Sequence, residues 1–302
     1  LLPLEVSGQM REPLTRKRAL RTWILPCIFL LSLTSCSQQK APCGIAQEGK
    51  QIILRQGYAI PIHPSAAEQL RFALSQFSDL GKRRAALNSV IELFPLQRTQ
   101  VAEAKLELAY LSLGDDFRLA GKNDCRDAVA NYESIAKQYH DLRPICAKAR
   151  WYIAWIYMDL LRDKKAGLLN YQRVVSEFTN EGFLPTPHLP WQEIFAKAAK
   201  KETAFLSRKE YWGAIALLEI IRNVESLQYK QGALRQLIEL YPASRAVPYA
   251  LINVLEGPAV PAEAVQIAKQ WLQSNNCYPP MKDYLKLRIS SQDPENRQEG
   301  IH

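Results

Sequence analysis

The sequence predicts an all-α protein, a stack of about five to six helical hairpins. Three observations predict it. Apolar residues recur at helical spacing from Ser65 onward, small residues return at matching places in successive helices, and prolines follow Phe94 and Tyr241 at matching helix ends. A helix pair of this kind cannot cover its own apolar face, so it stacks on the next pair.

The chain opens on a different logic. Arg16, Lys17, Arg18 and Arg21 precede an apolar run from Trp23 to Leu33, which closes on Leu33, Thr34, Ser35 and Cys36. A basic region, a short apolar run and small residues at a cleavage point make an export signal over residues 1–35. The run is shorter than the about 20 residues that span a bilayer. Leu1 to Gln9 carry no targeting logic, so the precursor is expected to begin at Met10. The tetrapeptide L-T-S-C resembles the lipobox of bacterial lipoproteins. The resemblance implies that the Cys36 thiol takes a diacylglycerol and that cleavage between Ser35 and Cys36 leaves Cys36 as the acylated terminus. Ser37 implies the outer membrane, because in that family Asp at this position retains the protein in the inner membrane. The alternative is an ordinary secretory signal that happens to carry a cysteine.

Removing residues 1–35 takes away five Lys/Arg and two Asp/Glu and lowers the formal charge from +9 to +6. That modest excess does not suggest nucleic acid and suits an acidic partner or anionic headgroups. Beyond Cys27 in the signal and Cys36, the cysteines are Cys43, Cys125, Cys146 and Cys277, with no metal-site spacing. Residues 36–64 are polar, contain Pro42, Gly44, Gly49, Gly57, Pro61 and Pro64, and read as a lipidated tether, with Tyr58 to Ile62 able to pack as an extended segment.

The helices then follow in order over residues 65–178. Ser65 with Glu68 has capping-box spacing, and Gly81 is expected to break the first helix from a second over Arg84–Phe94, stopped by Pro95. Val101–Leu113 pairs with Asp124–Tyr139, and Ile145–Leu161 with Asp163–Phe178. Residues 179–190, with three prolines in six residues, form either a hinge between halves or an ordered loop carrying Phe183 and Leu184. Residues 191–290 carry further helical repeats: Trp191–Leu206, Glu210–Asn223, Leu227–Leu240, Ala243–Leu255, Pro261–Gln273 and a cap over Met281–Ile289. Residues 291–302 are a polar tail.

The pairs align with one another. Ala102, Ala104 and Ala109 recur as Ala147, Ala149 and Ala154. Tyr132 and Tyr139 recur as Tyr171 and Phe178. Ala86, Leu87, Ile91, Glu92, Leu93 and Pro95 recur as Ala233, Leu234, Ile238, Glu239, Leu240 and Pro242. This pattern resembles tetratricopeptide repeats, with an expanded turn at Gly114–Asn123 and no repeat complete. In antiparallel helices Cys125 and Cys146 begin at opposite ends of a helix about 20 Å long, too far for a disulfide. Cys146 therefore reads as a packed thiol.

Few residues offer chemistry. His63, His140, His188 and His302 make no metal pair and read as solvated loop histidines, and Asp115–Asp116 reads as a helix-ending turn. No nucleotide or hydrolase motif occurs. No metal, no cofactor and no catalytic residue is expected. The dense aromatic set Trp151, Tyr152, Trp155 and Tyr157 fits inter-repeat packing. Its sharper reading makes Trp151, Tyr152 and Trp155 candidate partner-binding residues on a groove.

Lipobox, tether and helix pairs together resemble the repeat-bearing lipoprotein of the outer-membrane β-barrel assembly machine. The resemblance implies a non-enzymatic scaffold anchored to the outer membrane through its N-terminal lipid. It would face the periplasm and bind envelope proteins, a β-barrel assembly protein among them, and no nucleic acid. The alternatives are a scaffold for polysaccharide export or cell division, or the superhelix of a cell-wall lytic enzyme.

Overall fold

A computed structural model describes residues 51–114, 116–183, 210–257, 260–274 and 279–292. The expected signal, lipobox and tether to residue 50, the helix expected over Trp191–Leu206, Cys277 and the expected polar tail lie outside the described residues.

The described chain is mostly helical, with eleven α-helices among the described residues, packed in sequential pairs. They are α1 Ala66–Ser75, α2 Leu80–Leu93, α3 Arg98–Leu111, α4 Lys122–Gln138, α5 Arg143–Trp155 and α6 Lys164–Glu177. After the undescribed stretch come α7 Trp212–Asn223, α8 Leu227–Leu240, α9 Ala246–Leu255, α10 Ala262–Ser274 and α11 Pro279–Gln292. Each odd-numbered helix also touches the next odd-numbered one, from α1 through α11.

The even helices share one local code. Asp79, Asp163 and Ser226 each accept the backbone N–H three residues on, at the starts of α2, α6 and α8. Phe94, Tyr139, Phe178 and Tyr241 each end an even helix with a backbone bond four residues back. Seven residues before each of these ends sits a fully buried Leu87, Tyr132, Tyr171 or Leu234. The odd helices supply small partners: Ala102, Ala104, Ala109, Ala147, Ala149 and Ala154 are all buried, as their recurrence implies. Ser65 caps α1 by accepting from the Glu68 N–H at 3.3 Å.

Two features depart from the sequence reading. Residues 52–61 are not tether. They form an antiparallel hairpin, β1 Ile52–Arg55 and β2 Tyr58–Pro61, which packs on α2 with Ile60 fully buried. Its two-residue turn has positive φ at Gln56 and Gly57, the backbone twist that a tight hairpin needs. Gly81 does not break a helix either. It lies inside α2, where the Tyr58 hydroxyl occupies the space a Cβ would take, and the break falls at residues 76–79.

Helix α5 ends in a π turn, Ile156–Leu160, with Leu161 N–H bonding the Ile156 carbonyl at 2.9 Å. Arg162, at φ 59°, then reverses the chain and Asp163 N–H reaches the Tyr157 carbonyl at 2.8 Å, a left-handed helix stop.

The break after α6 closes on itself. Gly182–Phe183 (β3) pairs with Glu210–Tyr211 (β4), so the chain leaves and returns at one spot. Phe183 stacks on Trp212 at 4.2 Å, and the Tyr241 hydroxyl donates to the Thr179 carbonyl at 2.8 Å. Glu210 is buried and accepts from Ser244 Oγ at 2.6 Å and from Arg245 N–H at 3.0 Å. Helix α6 packs on α7, and one apolar core runs from α3 to α11. Thr179–Phe183 thus packs on the start of α7 and the end of α8; the rest of the expected hinge or loop, residues 184–190, lies outside the described residues. A second, smaller core joins Ile60 of the hairpin to α1, α2 and α3.

Candidate functional site

The expected acylation and cleavage residues, Cys36 and Ser35, lie outside the described residues. The aromatic candidates are all inside the protein. Trp151, Tyr152 and Trp155 are 1%, 2% and 6% exposed. Tyr152 stacks on Tyr132 at 5.0 Å and 3°, Trp151 meets Trp212 at 5.9 Å, and Trp155 meets Phe117 edge-on at 5.3 Å. The groove reading of these three is corrected: α5 has helices α3, α4, α6 and α7 around it, so its aromatic faces fill the interior, and a partner would have to open the stack to touch them.

Beside this aromatic core lies a charged cluster that the sequence reading missed. Arg83 of α2 donates to Glu107 Oε2 of α3 at 2.7 Å. Lys148 of α5 donates to Glu107 Oε1 at 3.2 Å and to Glu103 Oε2 at 2.6 Å. Arg83, Glu107 and Lys148 are buried. Burial pulls the Lys148 ammonium toward neutrality, but Glu103 and Glu107 outweigh it and raise its pKa well above the ordinary lysine value. A lysine held charged in this way is no nucleophile or base; it ties α5 to α3. The signal was present in the repeat alignment. Glu103 and Lys148 occupy equivalent places between the matched alanines 102/147 and 104/149, so opposite charges fall on stacked neighbours.

A second polar cluster surrounds the π turn. Glu219 of α7 is buried and accepts from Arg222 at 2.9 Å and from Asn223 at 3.5 Å. Burial raises its carboxyl, Arg222 opposes that, and the Asp159 carboxylate adds to it. Burial likewise raises Asp159, against Arg222 and Arg162. Burial pushes the nearby Tyr171 phenol well up, with Glu219 and Asp159 adding to the shift. These groups lie where α6, α7 and the π turn meet; among the described residues no set of three or more His, Cys, Asp or Glu is grouped to hold a metal.

Cys125 and Cys146 are free and buried. The Cys146 thiol points to the Tyr139 carbonyl at 3.3 Å, and burial raises both thiols above their ordinary range, which makes them unreactive packing groups. His140 is exposed, as a loop histidine should be. His63 is half-buried, with its ring 5.2 Å from Phe72 and its N–H bonded to Gln69, so it belongs to the first helix pair and not to solvent. Asp116 accepts the Arg118 N–H in the turn after α3.

The surface offers a shallow recess of about 430 Å³ between α8 and α10, lined by Ile238, Pro242, Ile267 and Trp271. Arg235 and Glu263 form a two-pronged ion pair at its wall, at 2.7 and 2.6 Å. No family model matches this chain, and no curated protein or solved structure does. The Arg83–Glu107–Lys148 ion pairs fasten helix to helix.

Proposed function

We propose that this protein is a lipid-anchored scaffold of the bacterial envelope, a helical-repeat solenoid that holds protein partners on the periplasmic side of the outer membrane. The observation that carries the reading is the packing order: sequential pairs, a repeated cap and core code in the even helices, and contact of each odd helix with the next. Such a stack extends by adding pairs and presents long faces for binding. The lipobox at Leu33–Cys36 supplies the anchor in this reading. Since Trp151, Tyr152 and Trp155 are interior, the partner contact moves to the recess of α8 and α10. The partner class is a β-barrel assembly protein, on the resemblance of the whole arrangement to that machine's repeat-bearing lipoprotein.

The test is affinity capture from solubilised envelopes with quantitative mass spectrometry, wild type against an Ile238→Arg, Ile267→Arg double variant. The reading predicts a β-barrel assembly component as the dominant partner and its loss by about tenfold or more in the variant, the scale of one 1.4 kcal/mol contact. A dominant partner of another kind would overturn the assembly role. An unchanged capture would remove the recess from it.

A further inference from the structure

The hairpin β1–β2 has an inner face, with Ile53, Arg55, Tyr58 and Ile60, and an outer face that is apolar. Ile53 and Ile60 turn toward α2, with Ile60 fully buried. Ile52, Leu54, Ala59 and Pro61 alternate onto the other face. There Ile52 is 63% exposed and Leu54 75% exposed. A hairpin lying on a helix normally presents polar residues to solvent on its outer side. An uncovered apolar strand face is also an aggregation hazard unless something covers it.

The occupant can be chosen by size and by place. Two strands of four residues span roughly 13 Å by 10 Å, far short of the about 800 Å² per partner that a stable complex buries. A second copy of this chain is therefore a poor fit. A lipid surface needs no matching shape. It needs only to be near, and the chain makes it near. Fourteen residues lie between Cys36 and Gln51, a reach of about 50 Å at full extension. With acyl chains on Cys36, contact between hairpin and bilayer becomes an intramolecular step at high effective concentration, where a small apolar patch is enough.

We infer that the outer face of the hairpin, Ile52, Leu54, Ala59 and Pro61, rests on the bilayer surface and sets the orientation of the helical stack relative to its membrane. This rests on the lipid-anchor reading above. It assigns the hairpin a role distinct from the α8–α10 recess: the N-terminal end of the protein faces lipid, which leaves the distal recess for protein.

The experiment uses the full chain, expressed with its own signal and reconstituted into vesicles of phosphatidylethanolamine and phosphatidylglycerol. A photo-reactive benzoylphenylalanine replaces Leu54, or Glu133 on α4 as a control, and adducts are identified by mass spectrometry. The mass of the Cys36 peptide is read from the same sample. The inference predicts phospholipid adducts at position 54, at least about tenfold above those at 133. A second probe at Ala59 should lose its lipid adducts by a similar factor when Ile52→Lys and Leu54→Lys are introduced, both at exposed positions where the fold has little at stake. Acyl chains on Cys36 with no lipid adduct at 54 overturn the inference and leave the anchor standing. An unmodified Cys36 with lipid adducts at 54 does the reverse. Adducts at 54 to protein, whether another copy or a partner, also overturn it, as does a failure of both readouts.

Discussion

Helices α2 and α8 are close to the same object placed twice. Leu80–Leu93 and Leu227–Leu240 have equal length, equivalent caps at Asp79 and Ser226, equivalent ends at Phe94 and Tyr241, and the same buried Leu87 and Leu234 at their centres. They differ in what meets their polar and outer residues. Arg83 of α2 is buried on Glu107, whereas its counterpart Lys230 bonds Asn253 at 3.3 Å while partly exposed. Ala85 and Ser89 are fully buried in α2, on which the hairpin packs; their counterparts Gly232 and Gln236 are exposed, and α8 lines an open recess. One code for making a helix thus serves two duties. The inward residues build the stack, and the outward residues are free to diverge.

The comparison can be broken at several points. The largest expected effect is at the buried charges. Glu107→Ala strands Arg83 inside the protein, leaves Lys148 with Glu103 alone and should cost about 3–5 kcal/mol, while Asn253→Ala should cost about 1 kcal/mol or less. Urea unfolding of both variants measures this, and equal losses would erase the contrast between the two copies. Next come the shared centres: Leu87→Ala and Leu234→Ala should each cost about 2–5 kcal/mol. Similar values in the same assay support equivalence, and a negligible loss at either position refutes it. The caps are smaller again, with Asp79→Ala and Ser226→Ala each expected near 1 kcal/mol by thermal unfolding.

A pH effect sharpens the contrast with the π-turn cluster. The Glu219 carboxyl is raised above its ordinary 4.5 in the folded protein, by burial first. In the window between that ordinary value and the raised one, the folded chain keeps a proton that the unfolded chain has released. Stability therefore falls as pH rises through the window. Glu219→Gln should flatten that slope, read from unfolding midpoints between pH 4.5 and 7. An unchanged slope would assign it to other groups, Asp159 first among them.

Much of the helical plan was legible from the residues. Leu227–Leu240 came out at its observed bounds, and the capping of α1 by Ser65 was readable from Glu68 three residues on. The alanine and tyrosine correspondences marked buried positions correctly because recurrence reports packing. What failed did so for physical reasons. The extended packing of Tyr58–Ile62 was readable, but its partner strand was hidden because Ile52, Ile53 and Leu54 are apolar on both faces, so the alternation that signals a strand never appears. Gly81 reads as a breaker because a sequence does not show that Tyr58 comes close to it. Trp151 and Trp155 share a helix face on paper, but only the packing of α3, α4, α6 and α7 around α5 decides that the face is interior. The charged cluster was within reach, since Glu103 and Lys148 align in stacked repeats.

Helices α6 and α7, on either side of residues 184–209, share one apolar core and are expected to unfold as one unit. Hydrogen exchange of the full chain at increasing urea, read peptide by peptide, tests it most directly. The account predicts that protection in α5, α6 and α7 is lost together, because they share one core and are fastened at Phe183–Trp212, Thr179–Tyr241 and Glu210–Ser244. Loss of protection in α7 to α11 as one unit, while α1 to α6 stay closed as another, would contradict it.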